Sequence, residues 1–484
     1  MPIEDEGVIK RVESPNPPKS KQERLWLGYS FGSLPPIRAT SPSSRDSTTN
    51  GNQSESRDLE KDYERQSENI ELNNLDEVAA PAPIDEEAQR QRSHLEDRTA
   101  DEQAPGIESN SHSRIATEIY TISYLTVFSI LGTLARLGLQ ALTFYPGAPV
   151  QTGLLWANVG GSFIIGFLLE DRMLFREEWG AEPTNQTRQR ARLVRTPSKH
   201  AQHTVVKKTL PLYIGLATGF CGSFTSFSAF MRDAFFALAN ALPVPINHPA
   251  LSDPPSPISQ TVNVPRNGGY SFLALLAIIV STVGLSLGAL QMGAHLALGV
   301  ERWTPALPFT FVRKVIDRVF VVLAIGMWIG AIVMAILPPD RLGGPVGGMQ
   351  ESWRGKALFA LVFSPPGCLL RFYASLLLNG KIKSFPLGTF AVNILGSALE
   401  AMFLDLQHGL VGGTIGCQVL QGMNDGFCGC LTTVSTWVAE IKALRIRHAY
   451  VYSIVSIGVA LSAFVIITGS FLWTHGFEQM VCLT

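Results

Sequence analysis

From residue 118 onward the chain is dominated by nine apolar stretches, roughly 118–144, 152–170, 210–238, 270–299, 317–337, 356–379, 385–405, 412–440 and 449–474. A helix needs about 20 largely apolar residues to cross a bilayer, so each stretch reads as a membrane span. A backbone at membrane depth must satisfy its own polar groups, which leaves helices as the fold. The third and eighth stretches are interrupted by small and polar residues.

Loop charge sets the orientation. Arg172, Arg176, Arg188, Arg190, Arg192, Arg195, Lys199, Lys207 and Lys208 lie between the second and third spans. Arg302, Arg313, Lys314 and Arg318 separate the fourth and fifth, Lys381 and Lys383 follow the sixth, and Lys442, Arg445 and Arg447 follow the eighth. The connections 145–151 and 406–411 carry no Lys or Arg. Alternate loops are basic, so a cytosolic N-terminus and an outside C-terminus are expected. The 338–355 connection, with Arg341 and Arg354, fits this alternation least well.

The net charge of −1 is a cancellation: residues 1–110 hold 13 Lys and Arg against 23 Asp and Glu, and the remainder holds 26 against 17. The first segment, 1–112, is rich in Ser, Asn, Glu and Gln and poor in large apolar residues, so a disordered cytosolic tail is expected there. It has no apolar core of a signal peptide. The near-zero total therefore says little about partners, and no nucleic-acid partner is expected. The six cysteines lie mostly in apolar segments. Cys428-Gly-Cys430 has no further ligand at metal spacing and reads as helix packing.

The spans contain a repeat. Gly132-Thr-Leu-Ala-Arg136 recurs as Gly367-Cys-Leu-Leu-Arg371, and Asn158 with Ser162 recurs as Asn393 with Ser397, at a common offset of 235. Residues 219–228 recur as 426–435 at an offset of 207, shorter because the first copy carries the long 171–209 loop. The first copy starts inside and the second outside, and span 317–337 has no counterpart and performs the inversion. The expected fold is an all-α integral membrane protein: two inverted four-helix repeats, 113–300 and 355–484, joined by a linker, 301–354, that holds one span. Inverted repeats place binding sites at their interface.

The run Gly219-Phe-Cys-Gly222 with its Ser/Thr residues allows two readings. Clustered glycine disfavours continuous helix by about 1 kcal/mol per residue, and a break would expose carbonyls that suit a cation. Alternatively, small residues let neighbouring helices approach. Asn158 and Asn393 are either interhelical hydrogen-bond partners or amide donors to an anion. Arg136 and Arg371 either snorkel from the ends of their spans or draw anions inward. Glu400 lies on the face of Asn393, while its counterpart is Ile165. Intramembrane carboxylates are costly and mark function.

Arg136, the Asn158 motif and the segment 219–230 closely resemble the Fluc/CrcB fluoride channel family. Two fused inverted copies with a linking span resemble its two-domain fungal branch, the FEX-type fluoride exporters. The resemblance covers roughly 118–299 and 356–474. It implies a passive, non-enzymatic plasma-membrane channel for fluoride in a lipid bilayer, with a monomer sufficient as a fused pseudo-dimer. It implies a structural sodium ion held by the carbonyls of Gly222, Thr225, Gly429 and Thr432. It also implies a pore lined by Asn158, Ser162, Phe227, Ser228 and Phe230 and by Asn393, Ser397, Thr433, Ser435 and Trp437, with Arg136 and Arg371 at a vestibule. Only the first copy keeps both phenylalanines. Val434 and Trp437 replace them in the second, so one pore is expected to conduct and the other, marked by Val434, Trp437 and Glu400, to be degenerate.

Overall fold

The computed structural model describes residues 110–143, 152–176, 207–242, 267–341, 353–409 and 411–477, with a few positions of 145–150 besides. The expected tail up to residue 109 and the basic run 188–199 lie outside the described residues. The described chain is all helical, as the apolar stretches require. In chain order the helices are α1 (Asn110–Thr143), α2 (Leu154–Glu170), α3 (211–224), α4 (Phe227–Leu238), α5 (Gly268–Gly299), α6 (Val312–Ile336), α7 (Arg354–Lys381), α8 (Leu387–His408), α9 (413–431), α10 (Ser435–Ala443) and α11 (Ile446–Thr474). Seven of these elements, counting 211–238 as one, are long and apolar enough to cross a membrane, and the molecule is a multi-pass membrane protein.

Two of the nine expected spans are weaker than the sequence suggests. The second is the 17-residue α2, and the eighth is the pair α9 and α10, neither of which meets the length and hydropathy of a span. Both are enclosed by other helices and so need less apolar surface. Helix α2 packs along α5, where Gly166 and Gly293 let the two backbones touch. A Cβ on Gly166 would fall on the Leu290 carbonyl oxygen, and one on Gly293 on the Phe163 carbonyl oxygen. Helix α10 is wedged between α2, α5 and α11.

Several loop charges serve as helix caps. Lys207, 2% exposed, donates from Nζ to the carbonyls of Leu168, Leu169 and Asp171 at 2.7, 3.0 and 2.7 Å, and so closes the C-terminus of α2. A cation there also complements the helix dipole. Burial pushes the Asp171 carboxyl up, opposed by the N–H groups of Leu174 and Met173 and by Lys207. Arg354 donates to the carbonyls of Ala335 and Ile336, each at 2.9 Å, at the end of α6. This engagement accounts for one of the two charges that ran against the loop pattern.

Helix α6 was expected to be only a connector. It is largely exposed along its length, yet it docks on α1 through a polar contact and an aromatic one. Tyr124 donates its hydroxyl to Asp317 Oδ1 at 2.8 Å, and the Tyr124 and Phe320 rings lie 4.3 Å apart. Cys221, Cys368, Cys428 and Cys430 are free and buried, in keeping with packing roles. Cys417, at the start of α9, is instead disulfide-bonded.

Candidate functional site

The glycine runs do not themselves break the helices. Gly215–Cys221 and Met423–Cys428 are wide helical turns, and the chain stays helical through Phe224 and Leu431. The breaks fall just beyond, at Thr225–Ser226 and at Thr432–Thr433. Thr225 and Thr432 are extended, with φ, ψ of −98°, 152° and −97°, 156°. The glycines serve close approach: a Cβ on Gly222 would strike the Arg371 guanidinium, and one on Gly429 the Arg136 guanidinium. Both proposed uses of this segment, a break and close packing, therefore occur a few residues apart.

Each break leaves backbone groups that need partners, since burying them unpaired costs about 1–3 kcal/mol each. Asn158 supplies them in the first copy, accepting from Ser226 N at 3.0 Å and donating to Ser226 O at 3.4 Å. Asn393 does the same for Thr433, at 2.9 and 3.3 Å. The copies then exchange caps. Thr432 Oγ1 accepts from the N–H groups of Phe227 and Ser228 at the start of α4, each at 3.1 Å. Thr225 Oγ1 accepts from Val434 and Ser435 at the start of α10, at 3.2 and 3.1 Å. The Thr225, Thr433 and Ser435 hydroxyls form one cluster, and Ser226, Ser228 and Thr432 form its counterpart. Two helix N-termini, each with a partial positive charge, thus meet at the crossing of the breaks.

The arginines are buried at 2% exposure rather than set at a vestibule surface. Arg136 Nη1 donates to Gly429 O at 2.8 Å and Ser223 O at 3.0 Å, and its Nη2 donates to Asp425 O. Arg371 Nη1 donates to Gly222 O at 2.6 Å and Thr432 O at 3.4 Å, and its Nη2 to Thr218 O at 2.6 Å. Each arginine reaches from the first helix of one copy onto the break of the other. Three of the four carbonyls named for a sodium ion, those of Gly222, Gly429 and Thr432, therefore already accept guanidinium donors. A carbonyl oxygen has a second lone pair for a further donor or a cation, and both guanidinium charges stand beside these oxygens.

Phe227, Phe230, Val434 and Trp437 share one buried cluster. The Phe227 ring lies edge-on to Trp437 at 5.2 Å and to Phe230 at 5.8 Å. Glu400 has a partner that the sequence reading missed. Arg232 Nη1 donates to its Oε1 at 3.1 Å, while Arg232 also pairs with Asp233 at 3.4 Å. Arg232 lies five residues beyond Phe227 on α4, and an intramembrane arginine opposite an intramembrane glutamate was a legible signal. Ser397 donates to Asn393 O at 2.8 Å. Its counterpart Ser162 is fully buried and its hydroxyl has no partner among the described residues. Ser286 on α5 and Ser456 on α11 are likewise buried without partners. Polar residues four apart, Thr282 with Ser286 and Tyr452 with Ser456, could have flagged them. Among the described residues no group of His, Cys, Asp and Glu is placed to hold a metal ion.

Residues 123–245 and 358–470 match the family model described as CrcB-like protein, Camphor Resistance. The chain is 50% identical over 408 residues to fluoride export protein 1 of Neurospora crassa, covering 82% of this chain and 75% of that protein. It is 32% identical to fluoride export protein 1 of Candida albicans, over 72% of this chain and 79% of that one. A fluoride-specific ion channel, FluC, of Geotalea daltonii is 37% identical over 84 residues, covering 17% of this chain and 66% of its own length. No solved structure matches the chain.

Proposed function

The chain belongs to the CrcB/Fluc family together with the fungal fluoride export proteins, and from that premise we propose that it is a passive channel exporting fluoride across the plasma membrane. The observation that carries this reading is the reciprocal crossing of two broken helices inside a bundle of apolar spans. Such a crossing is not needed for a scaffold, and it aims two helix N-termini at one buried place. Fluoride entering as neutral hydrogen fluoride dissociates in a less acidic cytosol. The trapped anion then leaves down the membrane potential, worth about 2.3 kcal/mol per charge per 100 mV.

The two copies, 113–300 and 355–484, are read as inverted four-helix repeats with 301–354 between them, so one chain does the work of a dimer. The cytosolic N-terminus and external C-terminus rest on the alternation of basic loops. A structural sodium ion on the carbonyls of Gly222, Thr225, Gly429 and Thr432 would tie the two breaks together. One path conducts and the other has degenerated, a reading supported by Val434 in place of an aromatic residue and by the Arg232–Glu400 ion pair.

Fluoride efflux from liposomes holding the purified chain, followed with an ion-selective electrode, is expected to be rapid, with chloride efflux near background. Chloride leaving as fast as fluoride, or no fluoride efflux, overturns the channel reading. A proton-coupled transporter using Glu400 is the alternative, since only its Oε1 is taken by Arg232 while its Oε2 is buried with no partner among the described residues. Glu400→Gln is expected to leave fluoride flux within about twofold and independent of a pH gradient. Flux that follows an imposed proton gradient in the wild type and is lost in this variant would instead establish coupling.

A further inference from the structure

Helix α7 carries two adjacent prolines, Pro365 and Pro366, inside its membrane-spanning length. Proline has no backbone N–H, so each removes the donor that serves the carbonyl four residues earlier. The carbonyls concerned are those of Leu361 and Val362. At membrane depth neither water nor lipid supplies a donor in place of the missing one. Both carbonyls nevertheless have a partner. Ser364 donates its hydroxyl to Leu361 O at 3.1 Å, and the indole N–H of Trp328, on α6, donates to Val362 O at 3.0 Å.

The prolines belong to the second copy alone, and their counterparts on α1 are Ile130 and Leu131. Ser129, the counterpart of Ser364, makes the same kind of bond to Thr126 O at 2.9 Å, so the serine is common to both copies. What the second copy adds is the proline pair, and with it a donor from outside the repeat. Trp328 is 39% exposed, so burial of its ring is not what the position demands.

Helix α6 also touches both arginine-bearing helices at once. It meets α1 through Tyr124 and Asp317 and α7 through Trp328, and Ala331 shares one buried cluster with Ile130 of α1 and Leu361 of α7. Just beyond the prolines, Gly367 lies against the broken helix α9, where a Cβ would fall on the Phe427 carbonyl oxygen. Arg371 follows one turn later. The direction in which α7 leaves its prolines therefore decides whether that guanidinium reaches Gly222 O and Thr218 O of the other copy.

We propose that Trp328 is a positioning residue: the linking helix supplies the N–H that Pro366 withholds from Val362 O, and so holds Arg371 on the first break. Helix α6 is then part of the frame of the crossing as well as the span that inverts the second copy. The expected effect on fluoride flux rests on the channel reading above, whereas the effect on stability does not.

The test is a double-mutant cycle in the full chain. Trp328→Phe keeps a ring and removes the N–H, and Pro366→Ala returns a backbone N–H to Val362 O. Melting temperature in detergent and fluoride efflux from liposomes are read for all four proteins. Trp328→Phe alone is expected to lower the melting temperature by at least about two degrees and to reduce flux severalfold. In the Pro366→Ala background the same substitution is expected to change neither, because α7 then has its own donor. Pro366→Leu, which restores the residue of the first copy, takes the place of the alanine variant if that chain does not accumulate. No loss in Trp328→Phe, or an equal loss in both backgrounds, overturns the proposal. A coupled loss of stability with flux unchanged overturns the positioning role. A wild type that does not conduct sinks the channel reading, while the melting cycle still decides whether the indole completes the ladder.

Discussion

Alanine at Arg136 or Arg371 is expected to prevent the chain from accumulating as a folded, monodisperse protein. Each guanidinium serves at least two carbonyls of the opposite copy, Gly429 and Asp425 for Arg136, and Gly222 and Thr218 for Arg371. Losing either arginine orphans those acceptors in a dry interior at about 1–3 kcal/mol each, and a void remains where the side chain was. Against a net stability of about 5–15 kcal/mol that is a large fraction. Lysine is expected to rescue poorly, because a single ammonium cannot reproduce a planar fork that reaches two carbonyls one turn apart. Size-exclusion profiles and thermal unfolding in detergent report the effect. Alanine variants that elute normally and melt within about two degrees of the parent would show that the arginines do not hold the breaks.

The second large effect is expected at the α2–α5 contact. Gly166→Val and Gly293→Val each drive a side chain into a backbone carbonyl of the facing helix, that of Leu290 or of Phe163. Backbone cannot move aside as a flexible side chain does, so the cost is expected to reach or exceed the roughly 1–3 kcal/mol usual for overpacking. The same substitutions push α2 away from its place, and with it Asn158, which holds the first break. Loss of both thermal stability and fluoride flux follows. Gly284 and Gly288 on the same helix α5 make the control, since a Cβ there meets nothing within 4 Å. Alanine at those positions is expected to be neutral or to stabilise by up to about 1 kcal/mol each. Equal damage from the two pairs would refute the contact.

Much of this was legible in the sequence because bilayer physics is restrictive. Apolar length predicts spans, and the offsets of 235 and 207 pair residues that the structure uses in pairs. The Gly222 and Gly429 carbonyls, Thr225 with Thr432, and Asn158 with Asn393 all play matched parts. What was not legible is how the copies interlock. Nothing in the spacing says that Arg136 serves Gly429, almost 300 residues away, instead of an aqueous vestibule. The glycine run left a break and close packing both open, and the structure sets the glycines to packing and the break at the threonines. Their hydroxyls accept from backbone N–H groups of the opposite copy, and such a partner has no local signature. Glu400 looked unpaired because its partner Arg232 belongs to the other copy.

The exchanged threonine caps have a consequence for the order in which the chain is made. Helix α4 belongs to the copy that leaves the ribosome first, yet the acceptor for its first two N–H groups is Thr432, more than 200 residues later. Helix α10 is made later, has no side-chain cap of its own and finds its acceptor already waiting on Thr225. The first half therefore enters the membrane with an unfinished centre, and its completion coincides with the arrival of the second. Synthesis of the second copy and completion of the crossing are one event, so a chain truncated between the copies lacks the Thr432 acceptor at the start of α4.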